Sequence, residues 1–132
     1  MSLFVDTSAL YALLVRSEAD HRAVTDAFRA AAEKGRRLLT TNYILLETAA
    51  LLQNRIGLDP VRDLVGRVSP LLDVIWVSSE LHRRAVERLF RSNRRHLSLV
   101  DAASFTVMET EGLTVALALD ADFENEGFQL IP

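Results

Sequence analysis

Short apolar runs alternate with longer amphipathic stretches along the whole chain. Leu3-Phe4-Val5 is an apolar run stopped by Asp6-Thr7-Ser8, the pattern of a buried strand feeding a helix over Ser8 to Val15. From Asp20 to Lys34, Ala23, Val24, Ala27, Phe28 and Ala31 fall at helical spacing, and Gly35 is the stop. Leu38-Leu39-Thr40 is a second short strand. Thr41 or Asn42 can cap the helix that follows, through Glu47 to Arg55 and ending before Gly57. Asp59-Pro60 opens another helix with proline in its first position, and Ser69-Pro70 ends or kinks it. Val74 to Val77, β-branched and aromatic, is the third strand, with Trp76 expected in the core. Ser78 or Ser79 caps an amphipathic helix with Leu81, Ala85, Val86, Leu89 and Phe90 on one face. Ser98 opens a helix through Met108 to Gly112, Thr114 to Leu119 is a fourth strand, and Phe128 to Ile131 a short fifth.

Strands separated by helices, with almost no hairpin signal, predict a mainly parallel sheet of four to five strands covered on both faces. The expected fold is therefore a three-layer α/β/α sandwich. A length of 132 residues suits a single domain spanning residues 1–132. Hydrophobic residues at 49% and charged residues at 25% match a globular chain and exclude disorder as the main state. The absence of cysteine excludes a disulfide scaffold, a thiolate metal site and a cysteine nucleophile. Three histidines make a histidine-rich zinc site a poor fit. The opening MSLFVDTSALYALLV has no basic flank and carries Asp6 within its apolar run, so it reads poorly as a signal peptide. No apolar run is long enough to span a bilayer, and the expected location is cytoplasmic.

A net charge of −3 conceals a division along the chain. His82 to His96 reads HRRAVERLFRSNRRH, with Arg83, Arg84, Arg88, Arg91, Arg94 and Arg95 against Glu87 alone. Asp101 to Pro132 holds no lysine or arginine but carries Asp101, Glu109, Glu111, Asp120, Asp122, Glu124 and Glu126. Such a division is a cue for polyanion binding on one side and cation binding on the other. Arg84, Arg88, Arg91 and Arg95 recur at helical spacing, as a solvated helix face or as a stripe for RNA phosphates.

Ligands of parallel α/β sheets gather beyond the carboxyl ends of the strands. Asp6 follows the first strand there, and Asp120 and Asp122 follow the fourth; Asp101 and Glu47 fall in early helical turns. Each has an ordinary structural use. Asp6, Asp120 and Asp122 suit turns, and Asp101 completes a capping box in S-L-V-D with Ser98. Glu47 resists that reading because YILLETAALLQNRI is apolar nearly all round, and a carboxylate there needs a partner. Gathered in one volume, these acids would repel one another or require a cation. All-oxygen ligands favour Mg²⁺ or Mn²⁺ over zinc.

VDTSAL after the first strand, TTNYILLETAALL, LSLVDAASF and ALDADF, in that order, resemble the PIN-domain ribonucleases, especially the VapC toxins of toxin–antitoxin pairs. The similarity runs from Leu3 to Phe128. The resemblance implies that Asp6, Glu47, Asp101 and Asp120 form an acidic quartet binding one or two Mg²⁺ or Mn²⁺ ions. Asp122 would be an auxiliary ligand or the alternative fourth member. Ser8 and Ser98 match small hydroxyl positions beside the site, and Asn42 a polar helix start there. The pattern departs at Ala118, where many relatives carry a hydroxyl. The implied activity is hydrolysis of RNA phosphodiester bonds by metal-activated water, giving a 5′-phosphate and a 3′-hydroxyl. A small antitoxin covering the acidic cleft, often with an inserted basic side chain, and a homodimer are further implications.

Other phosphoryl chemistry fits less well. A receiver-like phosphoacceptor needs an acidic pair after the first strand and a late lysine, and a haloacid-dehalogenase-type phosphatase needs D-x-D where this chain has DTS. The alternative from another class is a catalytically idle PIN fold that binds RNA or protein. A pure binding module, however, gains only repulsion from clustered carboxylates.

Overall fold

The computed structural model describes residues 1–132. Strands β1 (Ser2–Val5), β2 (Arg37–Thr41), β3 (Asp73–Ile75), β4 (Val115–Leu117) and β5 (Gln129–Ile131) form one sheet in the order β3-β2-β1-β4-β5. Every neighbouring pair is parallel, with Phe4 of β1 opposite both Leu39 of β2 and Ala116 of β4. β1 is apolar throughout because it is central and covered on both faces; Leu3, Phe4 and Val5 are fully buried.

The connecting helices are α1 (Thr7–Leu14), α2 (His21–Glu33), α3 (Asn42–Arg55), α4 (Leu58–Asp63), α5 (Ser79–Ser92), α6 (Leu99–Glu111) and the short α7 (Asp122–Asn125). The right-handed crossover rule puts α1 to α4 over one face and α5 to α7 over the other. The packing agrees, with α1 against α2 and α3, and α5 against α6. No helix is long and apolar enough to cross a membrane. The expected three-layer sandwich with a parallel sheet is thus the fold observed.

Strand order turns between β1 and β4, where successive crossovers leave in opposite directions and open a crevice at the strand ends. Phe105 and Phe123 pack edge to face at 4.9 Å beneath it, and Phe123 also meets Phe4. The floor of the crevice is therefore rigid aromatic core.

Several local expectations change. Gly57, at φ +140°, starts α4 two residues earlier than expected, so Pro60 is its third residue. The chain then continues through a π-helical turn over Leu64–Val68 and a 3₁₀ turn over Ser69–Leu71. Trp76 is not core. β3 is an edge strand that stops at Ile75, and Trp76 beyond it is 74% exposed. Phe90 is 74% exposed as well, because α5 approaches α6 through small residues, Ala85 against Ala102 and Ala103. Phe90 lies outside that narrow seam.

Candidate active site

Asp6 ends β1 and caps α1. Its Oδ2 accepts the Ser8 backbone N–H at 3.3 Å and the Ser8 hydroxyl at 2.7 Å. The Ser8 Oγ in turn accepts the Leu119 backbone N–H at 2.9 Å. One hydroxyl thus ties the β1–α1 junction to the loop after β4. Asp101 arrives on the first turn of α6 through the expected capping box: its N–H donates to Ser98 Oγ at 3.0 Å, and its Oδ2 accepts the Ser98 N–H at 3.4 Å. Asp120 follows β4 and accepts the Asp122 N–H on Oδ1 at 2.9 Å. In each of these three acids a local hydrogen bond fixes one carboxylate oxygen and so orients the other.

Asp6, Ser8, Glu47, Ser98, Asp101 and Asp120 line one cleft of about 270 Å³, together with Thr7 and Leu51. Four separate elements supply its acids. Asp122 stands at the edge, with carboxylate oxygens of Asp101, Asp120 and Asp122 all within 4.8 Å of one another. Asp101 and Asp120 are common to both groupings. Asn42 is placed elsewhere: its Oδ1 accepts the Val77 N–H at 2.7 Å, tying α3 to the chain beyond β3, while Thr41 caps the helix.

Burial pushes the Asp6 carboxyl up to about 7, against the lowering effect of the Ser8 hydroxyl, and the Asp101 charge adds to the rise. Burial likewise raises Asp101 to about 6, opposed by its bonds to Ser98 and assisted by the charges of Asp120 and Glu47. The donor set is all oxygen, crowded, negative and partly desolvated. That chemistry fits a hard divalent cation, which would replace the repulsion with attraction.

The arginine stripe divides. Arg88 is held inside the fold, its side chain 14% exposed, with Nη2 at 2.8 Å from Glu109 and 3.3 Å from Glu126. Its guanidinium also lies 5.5 Å from the Phe105 ring centre. The hydrogen bond to Glu109 holds the Arg88 guanidinium more firmly protonated and lowers the Glu109 carboxyl. Arg84 reaches toward Thr110 at 3.5 Å. Arg91 and Arg95 are exposed. Truncating Arg88 to alanine leaves Glu126 without its inner partner and is expected to cost about 1–3 kcal/mol in denaturant unfolding. Its effect on RNA affinity should be small; a large affinity loss at unchanged stability would return Arg88 to the RNA surface.

Two residues escaped the sequence reading. Thr7 lines the cleft with a buried hydroxyl that has no partner, and its position between Asp6 and Ser8 was the available signal. His96 approaches Asp122 at 3.6 Å. It was visible only as part of a basic block, and nothing local pairs it with an acid beyond the next helix.

The family model for the PIN domain matches residues 3–128. The chain belongs to the PIN-domain family. Among curated proteins, this PIN domain is 39% identical over 127 residues to the 23S rRNA-specific endonuclease VapC20 of Mycobacterium tuberculosis, covering 96% of this chain and 95% of that one. It superposes on the crystal structure of M. tuberculosis VapC20, a sarcin-ricin loop cleaving toxin, with a TM-score of 0.87. That match has 36% identity and covers 99% of this chain and 100% of the other. VapBC2 from Rickettsia felis, solved bound to a promoter DNA fragment, shares the fold at a TM-score of 0.74 and 11% identity, over 98% and 97% of the chains. Within the PIN family, full-length likeness is therefore to the VapC-type ribonuclease toxins.

Proposed function

We propose that this PIN domain is a Mg²⁺- or Mn²⁺-dependent endoribonuclease, the toxin of a type II toxin–antitoxin pair acting in the cytoplasm. The observation that carries the reading is the convergence of Asp6, Glu47, Asp101 and Asp120 on one cleft, each on a different element. Asp6, Glu47, Asp101 and Asp120 would hold the ion, with Asp122 as an auxiliary ligand or the alternative fourth member. When bound, it supplies Lewis-acid activation of water and neutralises charge on the phosphate. The residues do the positioning. Ser8 fixes Asp6 and the loop bearing Asp120 in one register, so the two acids face the same phosphate. The Ser98 cap holds Asp101 against rotation. Glu47, half-buried on α3, or Asp120 would orient the attacking water and take its proton.

Likeness to a 23S rRNA endonuclease makes ribosomal RNA, and its sarcin-ricin loop in particular, the first substrate to test. A small antitoxin covering the cleft belongs to the same reading, as does a second copy of this chain on exposed apolar surface such as Leu46 and Trp76. The deciding experiment incubates partner-free protein with purified 23S rRNA and Mg²⁺ or Mn²⁺. Discrete cuts are expected, lost with EDTA and in Asp6→Asn. Cutting that persists in EDTA overturns the metal assignment; no cutting of any RNA by folded, metal-loaded protein overturns the enzyme.

A further inference from the structure

We propose that the pocket beside the acidic cleft, lined by Leu89, Phe90, Asn93, Arg94, Arg95 and Leu97, holds an unpaired base of the substrate RNA, stacked on Phe90 with a neighbouring phosphate on Arg95. The inference rests on the ribonuclease reading and extends it to substrate recognition.

Continuity with the cleft is the first argument. Leu97 lines this pocket and Ser98 lines the cleft. Consecutive Cα atoms are about 3.8 Å apart, so the wall of one hollow continues along the chain into the wall of the other. His96, between the arginines and that wall, reaches Asp122 at 3.6 Å. A strand with its scissile phosphate at the acids has its neighbouring nucleotides here.

Composition is the second argument. The pocket is about 530 Å³, within the range of small-ligand sites, and no acidic residue lines it. Leu97 is buried and gives an apolar floor, whereas Phe90 is 74% exposed. An aromatic ring left in water at a helix end gains from covering, and a base offers a π-face of matching shape. Asn93 turns the chain there at φ +50°, and its amide offers donors and an acceptor to a base edge. Arg94 is held by Glu126 at 3.3 Å, but Arg95 is exposed and makes no ion pair. A paired base is already stacked within its helix and shows only its edges, so the arrangement suits an unpaired one.

The test measures binding and cutting separately. Binding is followed by fluorescence anisotropy in an Asp101→Asn background, with a labelled stem-loop RNA pool of randomised loop and a fully paired stem as control. Phe90→Ala should bind the looped RNA about 5- to 100-fold more weakly, the loss expected for one base–aromatic stack. Phe90→Trp should retain binding, and the paired stem should not distinguish them. Arg95→Ala should flatten the dependence of log affinity on log salt by about one unit. In the cutting-competent protein, Phe90→Ala should raise KM more than it lowers kcat. Thermal melts check folding, which an exposed side chain should leave unchanged.

Equal affinity of Phe90→Ala and the parent for looped RNA overturns the subsite, even if the protein cuts RNA normally. Loss of self-association or of antitoxin binding with RNA affinity unchanged overturns it in favour of a protein interface. Phe90-dependent binding by a protein that never cuts leaves the subsite standing and removes the enzyme reading. Failure to bind either RNA removes the subsite, and the enzyme reading then stands or falls on cutting alone.

Discussion

Asp6→Asn should abolish RNA cutting, by about a thousandfold or more, while the protein folds and gains stability without metal. Two properties of the site combine here. The substitution removes one of the negative charges that attract a cation, and it removes a carboxylate whose burial already opposes ionisation. An amide oxygen can still accept the Ser8 hydroxyl, so the α1 cap and the tie to Leu119 survive. Loss of function should therefore come with a higher melting temperature in EDTA, opposite to the usual pattern for a buried substitution. Asp101→Asn should behave alike but with a smaller gain, since its burial is less complete. Two variants that cut at the parental rate would show that the reaction occurs elsewhere. A variant that loses activity only because it unfolds would show that the carboxyl is structural.

The same carboxyls give the metal-free protein an unusual pH profile. Below about pH 4 both are protonated in the folded and the unfolded chain, and neither affects stability. As pH rises toward 6 for Asp101 and 7 for Asp6, the unfolded chain releases protons that the folded chain keeps. Stability then falls with rising pH through that window, and the loss is complete above about pH 7. At about 1.4 kcal/mol per pH unit of displacement, Asp6 alone contributes on the order of a few kcal/mol. Melting temperature in EDTA should therefore drop between pH 5 and 7.5, and millimolar Mg²⁺ or Mn²⁺ should restore it at the upper end. Asp6→Asn should flatten the EDTA profile. A flat profile for the parent protein, unmoved by divalent ions, would falsify the crowded-carboxylate account of the cleft.

Most of the fold was readable because its signals are local. Apolar runs ended by Asp6-Thr7-Ser8 or Gly35, and the helix cap at Ser98, mark their strand and helix boundaries within a few residues. The acids were readable for a related reason: a parallel sheet puts its strand ends on one side, so position in the pattern implies position in space. What failed depends on which surfaces meet. Trp76 has strand chemistry, but a sheet's edge lies where the last strand pairs, and no residue count reveals that. Phe90 has helix-face spacing, but the alanine seam of α5 and α6 is too narrow to cover it. Arg88 has the spacing of a solvated stripe, and its partners Glu109 and Glu126 come from other elements. Asn42 came near the site only through the family resemblance, and its acceptor is spent on Val77.

The hydrogen bond between Ser8 and Leu119 closes a loop of 111 residues, and with it the acidic cleft. Contacts so distant in sequence form late, since their closure entropy is offset only when the intervening layers are in place. During translation, β1 emerges early and waits as an edge, with Asp6 but no Asp120 to face it. The cleft is therefore not assembled until β4 has been synthesised and has docked beside β1. Timing is written into the strand order: acids brought in by the first and fourth strands meet only in the finished sheet.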